Sequence, residues 1–249
     1  MLVVCYHAVS SEWRATLAVS PEQLEGQLRY LLRRGFEPVT FTEAVAGSKQ
    51  GSVMAVTFDD AYRSVYERAR PILGRLGVPG TVFVPTGFPE HRAPMSWPGI
   101  DEWLHGPWAS ELVPASWDEL RTLSRSGWEL GSHTRSHPHL PRLGDAELAD
   151  ELEGSRRECE NRVDAPCTAI SYPYGDVDAR VASGAAAAGY TAGAGLYERL
   201  VRRSTRSDPM RCPRLVLYRH DGRLRVWVKA RLFTGSPRVW NLLHRRTYR

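Results

Sequence analysis

Two adjacent aspartates, Asp59 and Asp60, directly follow the largely apolar run of residues 53–58. Such a run predicts a buried strand, so the pair lies where the chain leaves the core. A lone carboxylate is costly to bury, and charge at this place needs a partner. His133 and His137, which follow a second apolar run, can supply one. One aspartate and two histidines form a compact site for a divalent metal ion, with positions left for water or substrate.

Each half of this pattern also has an ordinary explanation. Two histidines four residues apart usually form a solvated pair, and two aspartates after a strand more often belong to a turn or a helix cap. The metal hypothesis therefore depends on the two halves occurring together, each at the end of an apolar run.

Strand and helix patterns alternate along the chain. Capping boxes begin at Ser20 and Ser116, each before leucines at helical spacing. The alternation predicts an α/β fold of parallel β/α units, with the chemistry at the carboxyl ends of the strands. The predicted strands are residues 2–6, 39–41, 53–58, 80–84, 128–131, 168–172 and 190–194. Beyond residue 197 the alternation fades, and residues 215–218 and 224–228 are predicted to pair as strands around His220.

The length and the cysteines indicate a single intracellular domain. A chain of 249 residues, 42% of them hydrophobic, can bury one sizeable core. The four cysteines are scattered, which predicts buried thiols and not a disulfide framework. No stretch approaches the roughly 20 apolar residues of a membrane span. The apolar start, residues 1–6, is too short for a signal peptide, and the sequence therefore predicts a cytoplasmic protein.

The formal net charge of +5 is unevenly distributed. Residues 199–249 carry fifteen Arg and Lys against two Asp, a net charge of +13, which leaves −8 for residues 1–198. The basic tail, residues 236–249, is interpreted either as a solvated face or as a peripheral contact with an anionic membrane. No base-reading motif accompanies the arginines, so nucleic acid is not an expected partner.

Six short motifs, in this order, resemble those of the polysaccharide deacetylase family, the carbohydrate esterases with a NodB-type domain. They are residues 5–10 (CYHAVS), 56–62 (VTFDDAY), 80–84 (GTVFV), 117–120 (WDEL), 128–137 (WELGSHTRSH) and 171–175 (SYPYG). The opening Y-H-x-V matches one branch of the family, which acts on N-acetylglucosamine polymers or related sugars. The resemblance implies an irregular, incomplete (β/α) barrel in residues 1–235, with a Trp- and Pro-rich insertion at residues 86–115 and the tail after it.

The resemblance also assigns roles at the metal site. It implies that Asp60, His133 and His137 bind the metal, and that Asp59 is the general base. Two histidines and one aspartate suit zinc, while cobalt or nickel could replace it.

Two further roles are assigned around the turn that contains Tyr174. In the family, the backbone N–H at this position faces the oxyanion. An arginine that precedes this turn in most members, and positions the base, is missing here because Ser171 and Tyr172 stand in its place. Arg211 is the predicted substitute, with Arg214 as the second candidate.

The acid that protonates the leaving amine has two candidates. His7 belongs to the Y-H-x-V motif and ends the first predicted strand, which places it on the same rim as Asp59 and His133. Most family members use a late histidine instead, and His220 resembles that one. His7 is the predicted acid.

The implied activity is metal-dependent removal of N-acetyl groups from an N-acetylated amino sugar in a glycan, glycolipid or small glycoside. Two alternatives stay open: hydrolysis of a non-sugar cyclic amide, as in allantoinase-like relatives, and a glycan-binding pseudoenzyme. Trp97, Trp103 and Trp108 of the insertion could stack on sugar rings or form a local apolar core.

Overall fold

Strands and helices alternate along the residues that the computed structural model describes, which are 1–47, 49, 51–196 and 208–234. The strands are β1 (Leu2–Tyr6), β2 (Ala8–Val9), β3 (Ala18–Val19), β4 (Glu37–Val39), β5 (Val53–Phe58), β6 (Gly80–Val84), β7 (Glu129–Ser132), β8 (Ala169–Ser171), β9 (Ala192–Leu196) and β10 (Cys212–Val216). The α-helices are α1 (Pro21–Leu32), α2 (Phe41–Ala46), α3 (Arg70–Leu76), α4 (Trp117–Arg125), α5 (Asp145–Ala149), α6 (Ser155–Val163), α7 (Ala179–Ala187) and α8 (Arg223–Thr234). Single π-helical stretches, Val65–Ala69 and Asp150–Gly154, lead into α3 and α6.

Seven parallel strands close into a ring. Their order is β1, β10, β9, β8, β7, β6 and β5, and β5 pairs back with β1 along its length. The opposite edge of β5 is shared, because its first half pairs with β4 and its second half with β6. The prediction of an irregular (β/α) barrel is confirmed, and the extra strand β4 is one source of its irregularity.

Alternate residues of the strands point into the ring and form layers. The apolar part of the interior includes Val3, Ala55, Phe83, Ala169, Ala192, Ala194 and Cys212, which belong to one buried cluster. Two residues further along the same strands come Cys5, Thr57, Ser171 and Arg214. The next step of two reaches His7 and Asp59. The interior therefore changes from apolar to polar toward the carboxyl ends of the strands.

The C-terminal part of the described chain differs from the predicted hairpin. Residues 215–216 belong to β10, which pairs with β1 and β9, whereas residues 224–228 lie in α8. Val226, Ala230 and Phe233 are buried and recur at the spacing of one helical face. The predicted pairing of residues 215–218 with 224–228 is wrong.

A buried ion pair fixes the start of α8. The carboxylate of Asp221 lies 2.6 Å from Lys229 Nζ and 3.1 Å from Arg225 Nε. Gln27 of α1 donates its Nε2 to the carbonyl of Asp221 at 2.6 Å and accepts a hydrogen bond from the Tyr6 hydroxyl at 2.8 Å. These contacts tie α8 to α1 and β1.

The insertion directs its tryptophans inward. Trp103 packs edge-on against Trp13 and Trp108, with ring centroids 6.0 and 5.5 Å apart. These two tryptophans of the insertion therefore build a local apolar core. Trp103 and Trp108 are only partly buried, whereas the third, Trp97, is buried and faces the carboxyl ends of the strands, beside His137.

All four cysteines are buried free thiols, as predicted. Among the described residues, no helix combines the length and the apolar character that a bilayer crossing requires. The basic tail, residues 236–249, lies outside the described residues.

The contacts of Asp221 predict a large effect of its removal. Asp221→Ala leaves the Lys229 ammonium without its carboxylate, and removing one partner of a buried pair costs about 3–5 kcal/mol. We expect the urea midpoint to fall accordingly, with an unchanged m value.

The matched control is Glu37→Ala, which removes the partner of the chain's other lysine, Lys49. Both side chains of that pair are about half exposed, so the loss should stay below about 1 kcal/mol. Equal losses in the two variants would contradict this account of α8.

Candidate metal centre and active site

The carboxyl ends of β5 and β7 bring the three predicted metal ligands together. Oδ1 of Asp60 lies 3.3 Å from Nε2 of His133 and 3.6 Å from Nε2 of His137. One ligand atom of each residue lies within 4.8 Å of the other two, and all three side chains are buried. This donor set fits a divalent ion of the zinc type that keeps open coordination positions.

The hydrogen bonding of these side chains also fits a cation. Oδ1 of Asp60 is buried and lacks a well-formed hydrogen bond from any described residue, a state that costs free energy unless another group satisfies it. Nδ1 of His133 lies 2.7 Å from the carbonyl oxygen of Ser171. Nδ1 therefore carries a proton, and Nε2 is the ring nitrogen that faces Asp60 and is placed to bind a metal ion.

The pKa shifts of the two histidines go in opposite directions. Burial opposes the charged form of His133, but Asp59 and Asp60 outweigh it and raise the pKa of that imidazole. Burial, together with the neighbouring His133, lowers the pKa of His137 to about 3. Its imidazole is neutral near pH 7, which is the form that binds a metal. Burial raises the pKa of the Asp60 carboxyl, but the neighbouring His133, His7 and His137 outweigh it and lower the pKa overall.

The backbone is strained at the site. Asp60, Thr134, His137 and Tyr174 are non-glycine residues with left-handed φ values of 67°, 67°, 62° and 59°. Each such residue costs of order 1–3 kcal/mol and persists where surrounding contacts hold it. One such contact is the hydrogen bond from the His137 N–H to Oγ1 of Thr134, at 3.1 Å. Strain of this kind concentrates at functional sites.

Asp59 is held by Arg214 inside the barrel. Nη1 and Nη2 of Arg214 donate to Oδ1 and Oδ2 of Asp59, each at 2.7 Å. The guanidinium also donates to Oγ1 of Thr57 at 3.1 Å and to Oγ of Ser171 at 2.8 Å. Burial raises the pKa of the Asp59 carboxyl, but Arg214 more than offsets this and holds the pKa well below its usual range. Arg214 thus engages both oxygens of Asp59, whereas the carboxylate of Asp60 faces the two histidines.

Arg211, the predicted positioning residue, does not contact this carboxylate. Its Nε lies 3.7 Å from Asp208, in the turn before β10. The prediction is wrong because Arg211 precedes the strand, whereas Arg214 lies two residues after Cys212 and shares its inward face. The second candidate, Arg214, is the residue that contacts Asp59.

A cavity of about 210 Å³ opens onto these groups. His7 lines it together with Asp59 and the three metal ligands, and the apolar part of the wall includes Leu17, Trp97, Ile100, Leu196 and Val216. Nδ1 of His7 is buried, with no hydrogen-bond partner among the described residues. His220 is exposed, stacks on Tyr218 at 5.5 Å and does not line the cavity.

Two aromatic rings orient His137. Trp97 stacks on its imidazole with centroids 4.2 Å apart, and Tyr174 meets it edge-on at 4.7 Å. The Tyr174 ring in turn stacks on His139 at 4.0 Å, and its hydroxyl donates to the carbonyl of Pro98 at 3.3 Å. The sequence carried no signal that separates Trp97 from the other tryptophans of the insertion.

Several known proteins resemble this chain in sequence. A family model described as Polysaccharide deacetylase matches residues 46–193. The protein YxkH of Bacillus subtilis (strain 168) is 24% identical over 196 residues, which are 77% of this chain and 62% of that protein. A poly-β-1,6-N-acetyl-D-glucosamine N-deacetylase of Staphylococcus aureus (strain MSSA476) is 25% identical over 183 residues, which are 68% of this chain and 58% of that protein. The chain thus spans about three fifths of the length of these relatives.

The fold is shared with a solved structure. The Streptococcus pyogenes deacetylase PplD, in complex with acetate, superposes with a TM-score of 0.75 at 18% identity. The match covers 92% of this chain and 97% of that one, so it extends over the whole barrel.

The geometry predicts the metal content of variants. Asp60→Ala, His133→Ala and His137→Ala each remove one of three ligands, and each should lose the divalent ion that the wild type retains when it is purified without chelator. The measurement is the metal-to-protein ratio by mass spectrometry, with circular dichroism as the check on folding.

The control for this prediction is His139→Ala. His139 lies two residues beyond His137 and contacts Tyr174 and Asp176, so this variant should keep its metal. A wild-type protein that holds no metal, and does not respond to added zinc or cobalt, would refute the site.

Proposed function

The chain belongs to the polysaccharide deacetylase family, and on that premise we propose that it is a metal-dependent hydrolase that removes N-acetyl groups from an N-acetylated amino sugar. The observation that carries the proposal is the pairing of two carboxylates at one cavity. Asp60 faces two histidines, while Asp59 is held by Arg214. Amide hydrolysis requires a cation that polarises the carbonyl and a separate base that accepts a proton from water, and this cavity offers a site for each.

The substrate class is supported by the relatives. The Staphylococcus aureus protein is named for the polymer poly-β-1,6-N-acetyl-D-glucosamine. The streptococcal deacetylase of the same fold was solved with acetate, which is the acid that N-acetyl hydrolysis releases. An N-acetylglucosamine-type sugar is therefore the proposed substrate.

Asp60, His133 and His137 would hold the ion. Their two nitrogens and one oxygen favour zinc, with cobalt or nickel as replacements. When bound, the ion supplies a Lewis acid at the acyl carbonyl. The proton transfers are left to the chain's own side chains.

Asp59 is the proposed general base. It lines the cavity, so a water molecule there can reach its carboxylate. Because Arg214 keeps its pKa low, Asp59 is ionised at neutral pH and can accept a proton. The two parallel hydrogen bonds from Arg214 also fix the plane of the carboxylate, which makes Arg214 the proposed positioning residue.

His7 is the proposed acid for the leaving amine. It lies two residues beyond Cys5, lines the cavity beside Asp59, and has a buried ring nitrogen that no described residue engages. On the other side of the cavity, the backbone N–H of Tyr174 is the proposed donor to the oxyanion. The left-handed conformation of Tyr174 sets the direction of that N–H.

The proposal is tested by acetate release. The panel contains short N-acetylglucosamine oligomers, a lipid-linked N-acetylated sugar and nucleotide-linked sugars, with allantoin as the non-sugar amide. We expect acetate from at least one sugar and no ring opening of allantoin. Ring opening without acetate would overturn the substrate class, and a metal-loaded protein that hydrolyses nothing in the panel would favour the pseudoenzyme.

The two proton-transfer roles predict the same kinetic effect. Asp59→Asn and His7→Ala should each keep the metal and lower kcat by about 10²–10⁴, the contribution of a positioned acid or base. His220→Ala is the matched control and should stay near the wild-type rate, because this side chain is exposed. The opposite ranking of the two histidines would make His220 the acid.

The role of Arg214 predicts a shift of the pH profile. Arg214→Met keeps an unbranched side chain over the Phe83 ring, where the guanidinium now lies at 5.3 Å, but it removes the charge. The strongest of the charges that oppose the effect of burial is then lost, so the pKa of Asp59 rises. Because the base must be ionised, activity is lost from the acidic side, and the acidic limb of kcat/KM moves to higher pH.

Arg211→Met is the control for this shift, since Arg211 does not contact Asp59. Its profile should match that of the wild type. Equal profiles for Arg214→Met and the wild type would remove Arg214 from the proposed mechanism.

We also propose a peripheral contact with an anionic membrane through the C-terminal basic region. In the described part, α8 exposes 72% of Leu224 and 39% of Val228 beside the exposed Arg223 and Arg231. Apolar residues among arginines suit the interface of an anionic bilayer. Deleting residues 236–249 should weaken liposome binding and spare hydrolysis of a soluble substrate, and unchanged binding would remove the hypothesis.

A further inference from the structure

A second group of metal-binding atoms lies next to the first. Sγ of Cys5, a ring nitrogen of His7 and a carboxylate oxygen of Asp59 lie within 4.8 Å of one another. The thiol of Cys5 donates to Oδ2 of Asp59 at 3.6 Å. None of the three residues belongs to the centre formed by Asp60, His133 and His137, so a cation at this group would be a second ion.

Asp59 can bind such an ion and keep its two hydrogen bonds from Arg214. Each carboxylate oxygen offers two lone pairs. Among the described residues, Oδ1 accepts from Arg214 alone, while Oδ2 accepts from Arg214, Ser171 and the Cys5 thiol. An ion that replaces the thiol proton takes the position that the S–H now occupies. The ion pair between Asp59 and Arg214 is then retained.

An ion can reach this group through the cavity, and His7 can serve as its third ligand. His7 and Asp59 line the cavity, and Cys5 is buried behind them. Nδ1 of His7 is buried without a hydrogen-bond partner among the described residues, so it can accept a metal without breaking an existing contact.

The chemistry of the group determines which ions bind and how tightly. A thiolate selects zinc, cadmium or cobalt over magnesium and calcium. The positive charge of Arg214 beside Asp59 opposes a second cation. Among the described residues, no arginine or lysine forms an ion pair with Asp60, so the centre at Asp60 fills before the group at Cys5.

We propose that Cys5, His7 and Asp59 form a second, weaker site for a thiophilic divalent ion, and that its occupation inhibits hydrolysis. The ion bonds to sulfur, nitrogen and oxygen, and the thiol proton leaves to solvent. Occupation engages the base and the acid at once, so neither can transfer a proton. The inhibition rests on the proposed function, whereas the binding does not.

Absorption spectroscopy tests the binding. Protein loaded with one equivalent of zinc is titrated with cadmium chloride, and the thiolate-to-cadmium charge-transfer band is followed in the ultraviolet. The centre at Asp60 contains no sulfur, so an ion exchanged there adds nothing to this band. We expect the band in the wild type and its loss in Cys5→Ser.

Cys167→Ser is the matched control, because it removes a thiol that is equally buried but lies outside the group. It should keep the band. The cadmium dissociation constant should rise in Cys5→Ser by more than the roughly 10–100-fold that loss of a second-shell partner costs. A band that persists in Cys5→Ser, or no band in the wild type, would overturn the site.

Activity tests the consequence separately. Each variant is compared with its own rate before cadmium or excess zinc is added, and magnesium serves as the hard-ion control. We expect inhibition that follows the band in the wild type and is absent in Cys5→Ser. A band without inhibition would overturn the inhibitory role.

The experiment still decides the metal site if the proposed function fails or if the Cys5 variant does not fold. If no substrate is hydrolysed, the proposed function fails, but the absorption titration still decides the site. If Cys5→Ser does not fold by circular dichroism, the wild-type titration together with His7→Ala, read by absorption alone, decides it instead.

Discussion

The ion pair between Asp59 and Arg214 is the interaction on which the site depends. The guanidinium extends from β10 into the ring, where it contacts Thr57 and Ser171 and donates to the carbonyl of Gly195 at 3.4 Å. A buried pair of this kind gains little net stability, because the desolvation of both charges opposes their attraction. The consequence of the ion pair is geometric. Arg214 of β10 and Asp59, which follows β5, hold each other in place at the centre of the barrel.

This ion pair gives the two neighbouring aspartates, Asp59 and Asp60, different environments. Asp59 has both oxygens engaged by a cation of the protein itself. Asp60 turns away in a left-handed conformation and faces two imidazoles, with a buried oxygen that lacks a well-formed hydrogen bond among the described residues. Adjacent residues of one strand end thus differ in environment, and one is suited to hold an ion while the other is suited to transfer a proton.

The insertion serves the site as well as the core. Trp103 and Trp108 pack with each other, while Trp97 supports a predicted metal ligand and forms part of the cavity wall. The carbonyl of Pro98 accepts a hydrogen bond from the hydroxyl of Tyr174. This contact joins the insertion to the turn after β8. These contacts are among those that hold the strained backbone of His137 and Tyr174 in place.

Local pattern was enough to predict the strands that lead to His7, Asp59 and His133, and their parallel β/α arrangement, because apolar runs and alternation are properties of short segments. The barrel itself was implied by the family resemblance. It could not separate Arg211 from Arg214, since the choice depends on where β10 begins and which face it turns inward. Pairing with β1 and β9 decides both. Residues 224–228 alternate like a strand, and only the packing of α8 on α1, with Asp221 and Lys229 buried between them, made them helical. The sequence by itself determined which residue types meet at the rim, and the tertiary structure decided which arginine reaches Asp59, because strand register is set by partners distant in the chain.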